Sequence, residues 1–473
     1  MLKALPIGID DLNLSMLNYF FEKTEHSHAH LFTGSAQQGR QGLAIAGHAD
    51  IMAHQGQYPV IFFTLKFIDS ANWDNCFDKI KRVISQVYSH HIYLLHSPLL
   101  TAIQKAEFEA IIGLTASVVA YEVSLKNLTY YLSSYHNKNP IVLIDEYDVP
   151  VHAGFRGGYY DEVVSFIKSF FGDGIKNNNY LHFAVMTGAL RIAKESIFTG
   201  MNNLKVCTFL SDFYADKFGL LEHEVQDMLA YYGLASDAKA VKLWYNGYTS
   251  GSYTVYNPWS IINLVDNKGV IQPYWVNTST NDIIKKLIQS SGDSVKEDIE
   301  LLIARSSITK EIRESIVYAS IEKDETVLWN FLLFSGYLTF KNRRLIQEII
   351  YVDLFIPNNE IASFFKSTVL SWFAEQLGEK HYNQMLSSLI SGDIALFNKL
   401  FSNFVITSFS YFDITGNQPE KFYHAFVLGM LVSLADRYHV RSNRESGYGR
   451  YDVMLIPHDT TKVGIVIEFK KVD

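Results

Sequence analysis

The residues best suited to chemistry lie in Ser442–Lys470, SNRESGYGRYDVMLIPHDTTKVGIVIEFK. Asp452–Ile456 and Gly464–Lys470 are apolar, strand-forming runs on either side of the turn formers Pro457–Thr461, a pattern that predicts a β-hairpin. Residues i and i+2 share one face of a strand. Glu468 and Lys470 therefore sit side by side, and antiparallel pairing would bring Asp452 to them, with Glu445 just upstream. Two or three carboxylates suit a hard divalent cation such as Mg²⁺, which takes oxygen ligands and keeps several waters. A lysine beside them can orient or deprotonate a metal-bound water and offset charge building on a phosphate. The chemistry implied is that of a metal-dependent phosphodiesterase. Glu468 follows the run GIVI, which reads as buried, where an unpaired carboxylate is costly.

A second acidic site follows Pro140–Ile144 (PIVLI), a strand apolar throughout that runs straight into Asp145-Glu146-Tyr147-Asp148. Acids at the end of such a strand look like a Walker B site. Asp145 would hold Mg²⁺ through water, and Glu146 would polarise the attacking water. Ligands bind at the carboxyl ends of strands in open α/β sheets, which is where this pair falls.

These residues need a scaffold, and the chain is long enough to supply one. Its 473 residues are 48% hydrophobic, sufficient for two or three domains. A net charge of −8 excludes a global basic field for nucleic acid. A local patch is present in Arg437, Arg441, Arg444, Arg450, Lys462, Lys470 and Lys471. Cys76 and Cys207 have neither metal spacing nor a disulfide framework, which fits a reducing cytoplasm. No window has the pattern of a signal peptide or the length of a membrane span, so a soluble, cytoplasmic protein is expected.

In chain order, Leu12–Phe21 has helical periodicity, with Asp10 or Asp11 as its N-cap. Strands are expected at Tyr58–Leu65, Pro140–Ile144, His182–Met186 and Val206–Leu210. Helices are expected at Ser70–Ser97, Leu100–Tyr135 and Glu162–Phe171. This alternation implies a mostly parallel sheet covered on both faces. From Asn281 to Leu400 the pattern is mainly helical, interrupted by a strand at Ile349–Phe355, and reads as a lid or connector. Trp244, Trp259 and Trp275 read as core aromatics, and His26, His28 and His30 as a polar loop rather than a metal site.

Asp452 followed by Glu468-x-Lys470 resembles the PD-(D/E)xK, restriction-endonuclease-like superfamily. The longer string from Glu445 through Arg450 and Asp452 to IEFK is similar to the nuclease-like half of a bacterial family that fuses an AAA-ATPase-like region to it. Met186–Leu204, LWYNGY, VYNPWSI, YWVNTS, GYLTF, IPN at Ile356–Asn358 and FYHAFVLGML at Phe422–Leu431 resemble the same family. The resemblance implies Mg²⁺ or Mn²⁺ at Asp452 and Glu468, with Glu445 as a further oxygen donor and Lys470 positioning the water. It implies ATP, with Mg²⁺ at Asp145, Thr187 as the sensor-like residue and Arg191 as the reader of a γ-phosphate.

One expected part is absent. A phosphate loop needs Gly-Lys followed by Ser or Thr, and the chain contains no Gly-Lys dipeptide. Gly34–Gln41 has the glycine spacing, but Arg40 and Gln41 replace the lysine and the hydroxyl. LPIGIDD (Leu5–Asp11) resembles the family's opening and is joined directly to the first helix, so Ile9, Asp10 and Asp11 stand where the loop would end. Weak or absent nucleotide binding is expected. The short stretch after Glu468-x-Lys470 leads to a further expectation, that a partner or a second copy covers the C-terminal sheet edge.

The fold expected is α/β. A P-loop NTPase-like (AAA-ATPase-like) parallel sheet would occupy residues 1–270 without its Walker A segment. A helical connector would follow at 271–385 and a restriction-endonuclease-like module at 386–473, both modules shortened. The function expected is nucleic-acid processing, on DNA by preference and away from membranes. The alternative is a non-catalytic interaction protein or a remnant with neither activity.

Overall fold

The computed structural model describes residues 10–34, 42–176, 178–188, 204–276, 293–303, 305–313, 325–365, 367–368, 379–409, 431, 434, 437–446 and 449–468. Three strands form the sheet of the N-terminal region: β1 (Val60–Thr64), β2 (Ile141–Asp145) and β3 (Phe183–Met186), parallel and in that order. Every residue of β2 is buried. That requires cover on both faces, as its unbroken apolar run predicts. On one face Ile61, Phe63, Val142 and Ile144 join the core formed with helices Trp73–His90, Val118–His136 and Tyr160–Ile175. On the other, Val60, Ile141 and Leu143 pack under Leu14 of the helix Asp10–Phe21. Each such aliphatic side chain, fully buried, contributes about 1.5–3 kcal/mol.

The helices follow their local chemistry. Trp73–His90 starts where the Asn72 side chain accepts from the Asn75 N–H, and it buries Cys76, Ile80, Ile84 and Tyr88 at four-residue spacing. The expected single helix Leu100–Tyr135 is two helices. Ala102–Ile112 opens with a Thr101–Gln104 capping box, and Val118–His136 opens at the Ser117 N-cap. Leu114 between them takes a left-handed φ of 60°, which an uninterrupted helix does not allow. Asp10 and Asp11 belong to the first turn of their helix, not to its cap. Val149–Gly157, unexpected from sequence, is a helix with Pro150 in its first turn, where the missing N–H costs nothing. Val206–Leu210 forms no strand of the sheet. Thr208 and Ser211 close a turn there, and the Gly251 N–H donates to the Phe209 carbonyl.

The stretch expected to be mainly helical also contains an antiparallel sheet, in the order β6 (Ile308–Ile312), β8 (Ile349–Phe355), β7 (Thr339–Ile346). The β8 strand was expected; β6 and β7 were not, because their outward Lys, Arg and Glu residues hide the two-residue period. A short pair, β4 (Tyr248–Ser250) with β5 (Tyr253–Val255), docks on it through the Thr249 N–H, which donates to Thr339 Oγ1 at 2.8 Å. Within the stretch expected to be mainly helical, residues 281–292, 314–324 and 369–378 lie outside the described residues. Trp275 is core; Trp244 is half-buried, and Trp259 is exposed, against expectation, because it faces outward from the helix Pro258–Asp266.

Four of the segments that resembled the family, LWYNGY, VYNPWSI, YWVNTS and IPN, meet in one buried joint. Glu360, fully buried, accepts from Ser260 Oγ at 2.7 Å and from the Trp275 N–H at 2.6 Å. Asn257 and Asn358 cap the helical turns that follow them, and their amides lie beside the buried Tyr248 hydroxyl. Gly247 takes φ 109°, and a Cβ there would collide with the Pro357 carbonyl, so the two loops meet only with glycine at this position.

His91 supplies a test of the β1 flank. It is 4% exposed, donates to the Val60 carbonyl, and burial pushes its pKa down to about 3. A depressed folded pKa means that the unfolded chain takes the proton first. The contribution is therefore intact above about pH 6.5 and lost as pH falls toward 3, at up to about 1.4 kcal/mol per unit. His91→Gln is expected to flatten that part of the acid profile, as measured by amide exchange of β1 between pH 6.5 and 4.

Candidate functional site

Parallel strands in register bring their carboxyl ends to one rim. Thr64 ends β1 opposite Asp145, the last residue of β2, and Thr187 follows β3 directly. The Asp145 carboxylate is 2% exposed and held from both sides, Oδ2 accepting from Thr64 Oγ1 and Oδ1 from Thr187 Oγ1, each at 2.8 Å. These two hydroxyls fix its plane. The main chain repeats the clamp: Thr187 donates to the Ile144 carbonyl, and Tyr147 donates to that of Thr187.

Glu146 then turns the chain with φ 53°, a left-handed conformation that a non-glycine residue takes at a cost of about 1 kcal/mol or more. The turn leaves Glu146 partly exposed and sends Asp148 inward, where Oδ2 lies 3.1 Å from His152 Nε2. Gly188 packs so closely that a Cβ would meet Asp148 Oδ1 at 2.6 Å and the Tyr147 ring at the same distance. Thr64, Asp148 and His152 had been given no role from sequence. The hydroxyl at the end of the neighbouring strand and the i, i+4 Asp–His spacing were the available signals. Arg191, residues 189–204 of the resembled segment apart from Leu204, and residues 35–41 of the Gly34–Gln41 stretch lie outside the described residues.

The C-terminal strands are β9 (Tyr438–Ser446), β10 (Gly449–Pro457) and β11 (Ile465–Ile467), antiparallel in the order β11-β10-β9. The expected hairpin is β10–β11, and β9 adds a third strand. Val453 pairs with Ile467, so one step further along this register position 452 falls opposite position 468. On the other side Tyr451 pairs with Arg444 and Val453 with Ser442, which sets 452 opposite 443 and 445 one pleat along. Positions 445, 452 and 468 therefore share one face of the sheet. Val453 and Leu455 point to the other, buried face. Lys470 lies outside the described residues.

The expectation that Glu468 is buried is corrected. Glu468 is exposed and Val466 on the same face is 56% exposed, because only alternate residues of GIVI reach the core. A carboxylate there keeps its water and needs no charged partner. Among the described residues no cluster of three His, Cys, Asp or Glu side chains is gathered tightly enough to hold a metal ion. The chemistry of the donor set is nonetheless that of a hard cation. The exposed Glu468 leaves room for the waters Mg²⁺ retains.

Residues 10–198 match a family model described as a predicted AAA-ATPase, and residues 418–473 match the PD-(D/E)XK nuclease superfamily. The chain carries an AAA-ATPase-like match and a PD-(D/E)XK match in one sequence, the pairing that the resemblance implied. An uncharacterized protein in the vnfD 5′ region of Azotobacter chroococcum mcd 1 is 24% identical over 325 residues, which cover 67% of this chain and 60% of that protein. The chain thus spans about 60% of that relative's length. No solved structure matches. The AAA-ATPase-like match begins at the helix Asp10–Phe21 and takes in β1, β2 and β3; the PD-(D/E)XK match takes in β9, β10 and β11. No described helix is long and apolar enough to cross a membrane.

Proposed function

We propose that the chain is a metal-dependent phosphodiesterase acting on nucleic acid, DNA by preference, with its AAA-ATPase-like region as scaffold or regulator. The observation that carries this reading is the β9–β10–β11 register, which sets positions 445, 452 and 468 on one face. Asp452 and Glu468 would hold Mg²⁺ or Mn²⁺, with Glu445 as a further oxygen donor. The metal supplies Lewis acidity and a water of lowered pKa. Lys470, two residues beyond Glu468, would place that water and offset charge on the scissile phosphate. Positions 441 and 450 fall on the same face as 452 by this register, so Arg441 and Arg450 would meet the phosphate backbone beside the carboxylates. The basic patch answers a net charge of −8 that otherwise repels nucleic acid. We place the protein in the cytoplasm, in keeping with two buried, unpaired cysteines.

At the Asp145 rim the residues suit a hydrated divalent ion: one clamped carboxylate, with Glu146 turned partly to solvent. No glycine-rich cradle for phosphates lies at this rim among the described residues. We therefore derive no ATP hydrolysis, and calorimetry with ATP and Mg²⁺ is expected to show no micromolar binding. The domain limits 1–270, 271–385 and 386–473 belong to the same proposal.

The test is cleavage of plasmid and single-stranded DNA with Mg²⁺ or Mn²⁺ by the whole chain, its Asp452→Ala variant and its Lys470→Ala variant. Cutting lost in both variants supports the enzyme. Equal, negligible cutting by all three moves the reading to a non-catalytic interaction protein, which the open edge described next would serve.

A further inference from the structure

The β1 edge lies at the floor of a groove of about 600 Å³ between two helices. Asn18 and Glu22 line it from the helix Asp10–Phe21 and the residue after it. Lys79, Arg82, Val83, Gln86, Val87 and His90 line it from the helix Trp73–His90.

Which backbone groups face this groove follows from register. The Ile141 N–H donates to the Pro59 carbonyl, and the Leu65 N–H to that of Asp145, so odd-numbered residues of β1 turn their peptide groups toward β2. Even-numbered residues turn theirs outward. The Val60 carbonyl is taken by the His91 ring. The Phe62 N–H and C=O and the Thr64 N–H meet no partner among the described residues. An edge of this kind is a template for another strand.

The chain itself shows that the edge accepts one. At its head, the Tyr58 N–H donates to the Phe21 carbonyl and the Lys23 N–H donates to that of Tyr58, a parallel bridge of one residue. The chain then leaves, and the ladder stops where the groove begins.

We propose that this groove binds an extended peptide segment of another protein, which adds as a fourth strand in continuation of that bridge, and that the segment alternates apolar with acidic residues. The apolar positions would rest on Phe62 at the floor and on Val83 and Val87 of the flanking helix, all of which line the groove. The acidic ones are called for by Lys79 and Arg82. The groove's single carboxylate, Glu22, is already 3.0 Å from His90 Nε2. Lys79 Nζ is anchored on the Asp69 and Phe67 carbonyls, neither of which cancels its charge. Main-chain pairing supplies affinity in such modes, and alternate side chains supply specificity. The inference concerns the N-terminal region alone and does not rest on the nuclease reading.

The experiment uses the whole chain and a fluorescent pool of peptides of about six residues, the usual strand length, alternating Glu or Asp with Val, Ile or Phe. A matched pool with Lys at the acidic positions and an N-methylated acidic pool serve as probes of charge and of backbone pairing. Saturable binding of the acidic pool is expected, with at least tenfold weakening on Lys pairing, on N-methylation and in Arg82→Glu. Protection of the Phe62 and Thr64 amides from exchange is expected alongside. No binding of the acidic pool overturns the proposal. Equal binding of the N-methylated pool overturns the added strand. Concentration-dependent dimerisation abolished by Arg82→Glu, without peptide binding, assigns the edge to a second copy instead. DNA cleavage by Arg82→Glu, measured in parallel, separates failure here from failure of the nuclease reading.

Discussion

Glu360→Ala is expected to loosen the buried joint between residues 246–276 and 356–360 by about 3–5 kcal/mol, the cost of stripping one partner from a buried, hydrogen-bonded charge. The carboxylate collects the Ser260 hydroxyl and the Trp275 N–H, and the Val276 and Tyr274 main chain also supports it. Removing it leaves several donors facing one another in a space that water must enter. Glu360→Gln should cost far less, since the amide keeps one carbonyl acceptor and the Ser260 hydroxyl can turn to receive its N–H. The pH dependence separates charge from shape. Burial raises the Glu360 pKa above the ordinary carboxyl range even against these hydrogen bonds. A raised folded pKa means that the contribution is complete below the unfolded value and declines as pH rises through the folded one. Glu360→Gln should lack that decline. Amide exchange at Trp275 and Val276 is the suitable readout, because a chain of this size does not unfold as one unit.

That joint also shows where sequence reading reached its limit. LWYNGY, VYNPWSI, YWVNTS and IPN were visible as separate segments, but nothing in any one of them said that they meet. Their meeting depends on Glu360, two residues beyond IPN, whose burial no local pattern announces. β2 was legible because five apolar or terminal acidic residues in a row admit no reading but a covered strand. β6 and β7 were not, because an exposed antiparallel strand can carry charge on most of its residues once partners on one side hold it. The clamp on Asp145 was half legible. Thr187 could be placed at a strand end, while Thr64 needed the β1–β2 register to set it opposite Asp145. Glu468 was misjudged in burial but not in position, since period-two alternation makes both its exposure and its level with 452 follow from the same strand.

The second large effect is asymmetric between the two acidic sites. Asp452→Asn preserves volume and removes charge from the central strand of the β9–β10–β11 face, so metal-dependent DNA cleavage is expected to fall by about 100- to 1,000-fold. Asp145→Asn should leave cleavage within about twofold. Thr64 and Thr187 hold it through hydroxyls, which can donate to the new carbonyl or accept from the new amide, so these contacts keep their shape. A Mn²⁺ titration distinguishes what Asp452 does. A rightward shift with full cleavage at saturation means that it binds the metal. A lowered plateau with an unchanged midpoint means that it orients the water or phosphate once the metal is held. If Asp145→Asn lowers the plateau as far as Asp452→Asn does, the two regions act as one machine, and the N-terminal rim must exchange energy with the nuclease face rather than merely support it. If cleavage survives Asp452→Asn, the shared face of positions 445, 452 and 468 is not the site of chemistry, and the register that unites them serves only the sheet.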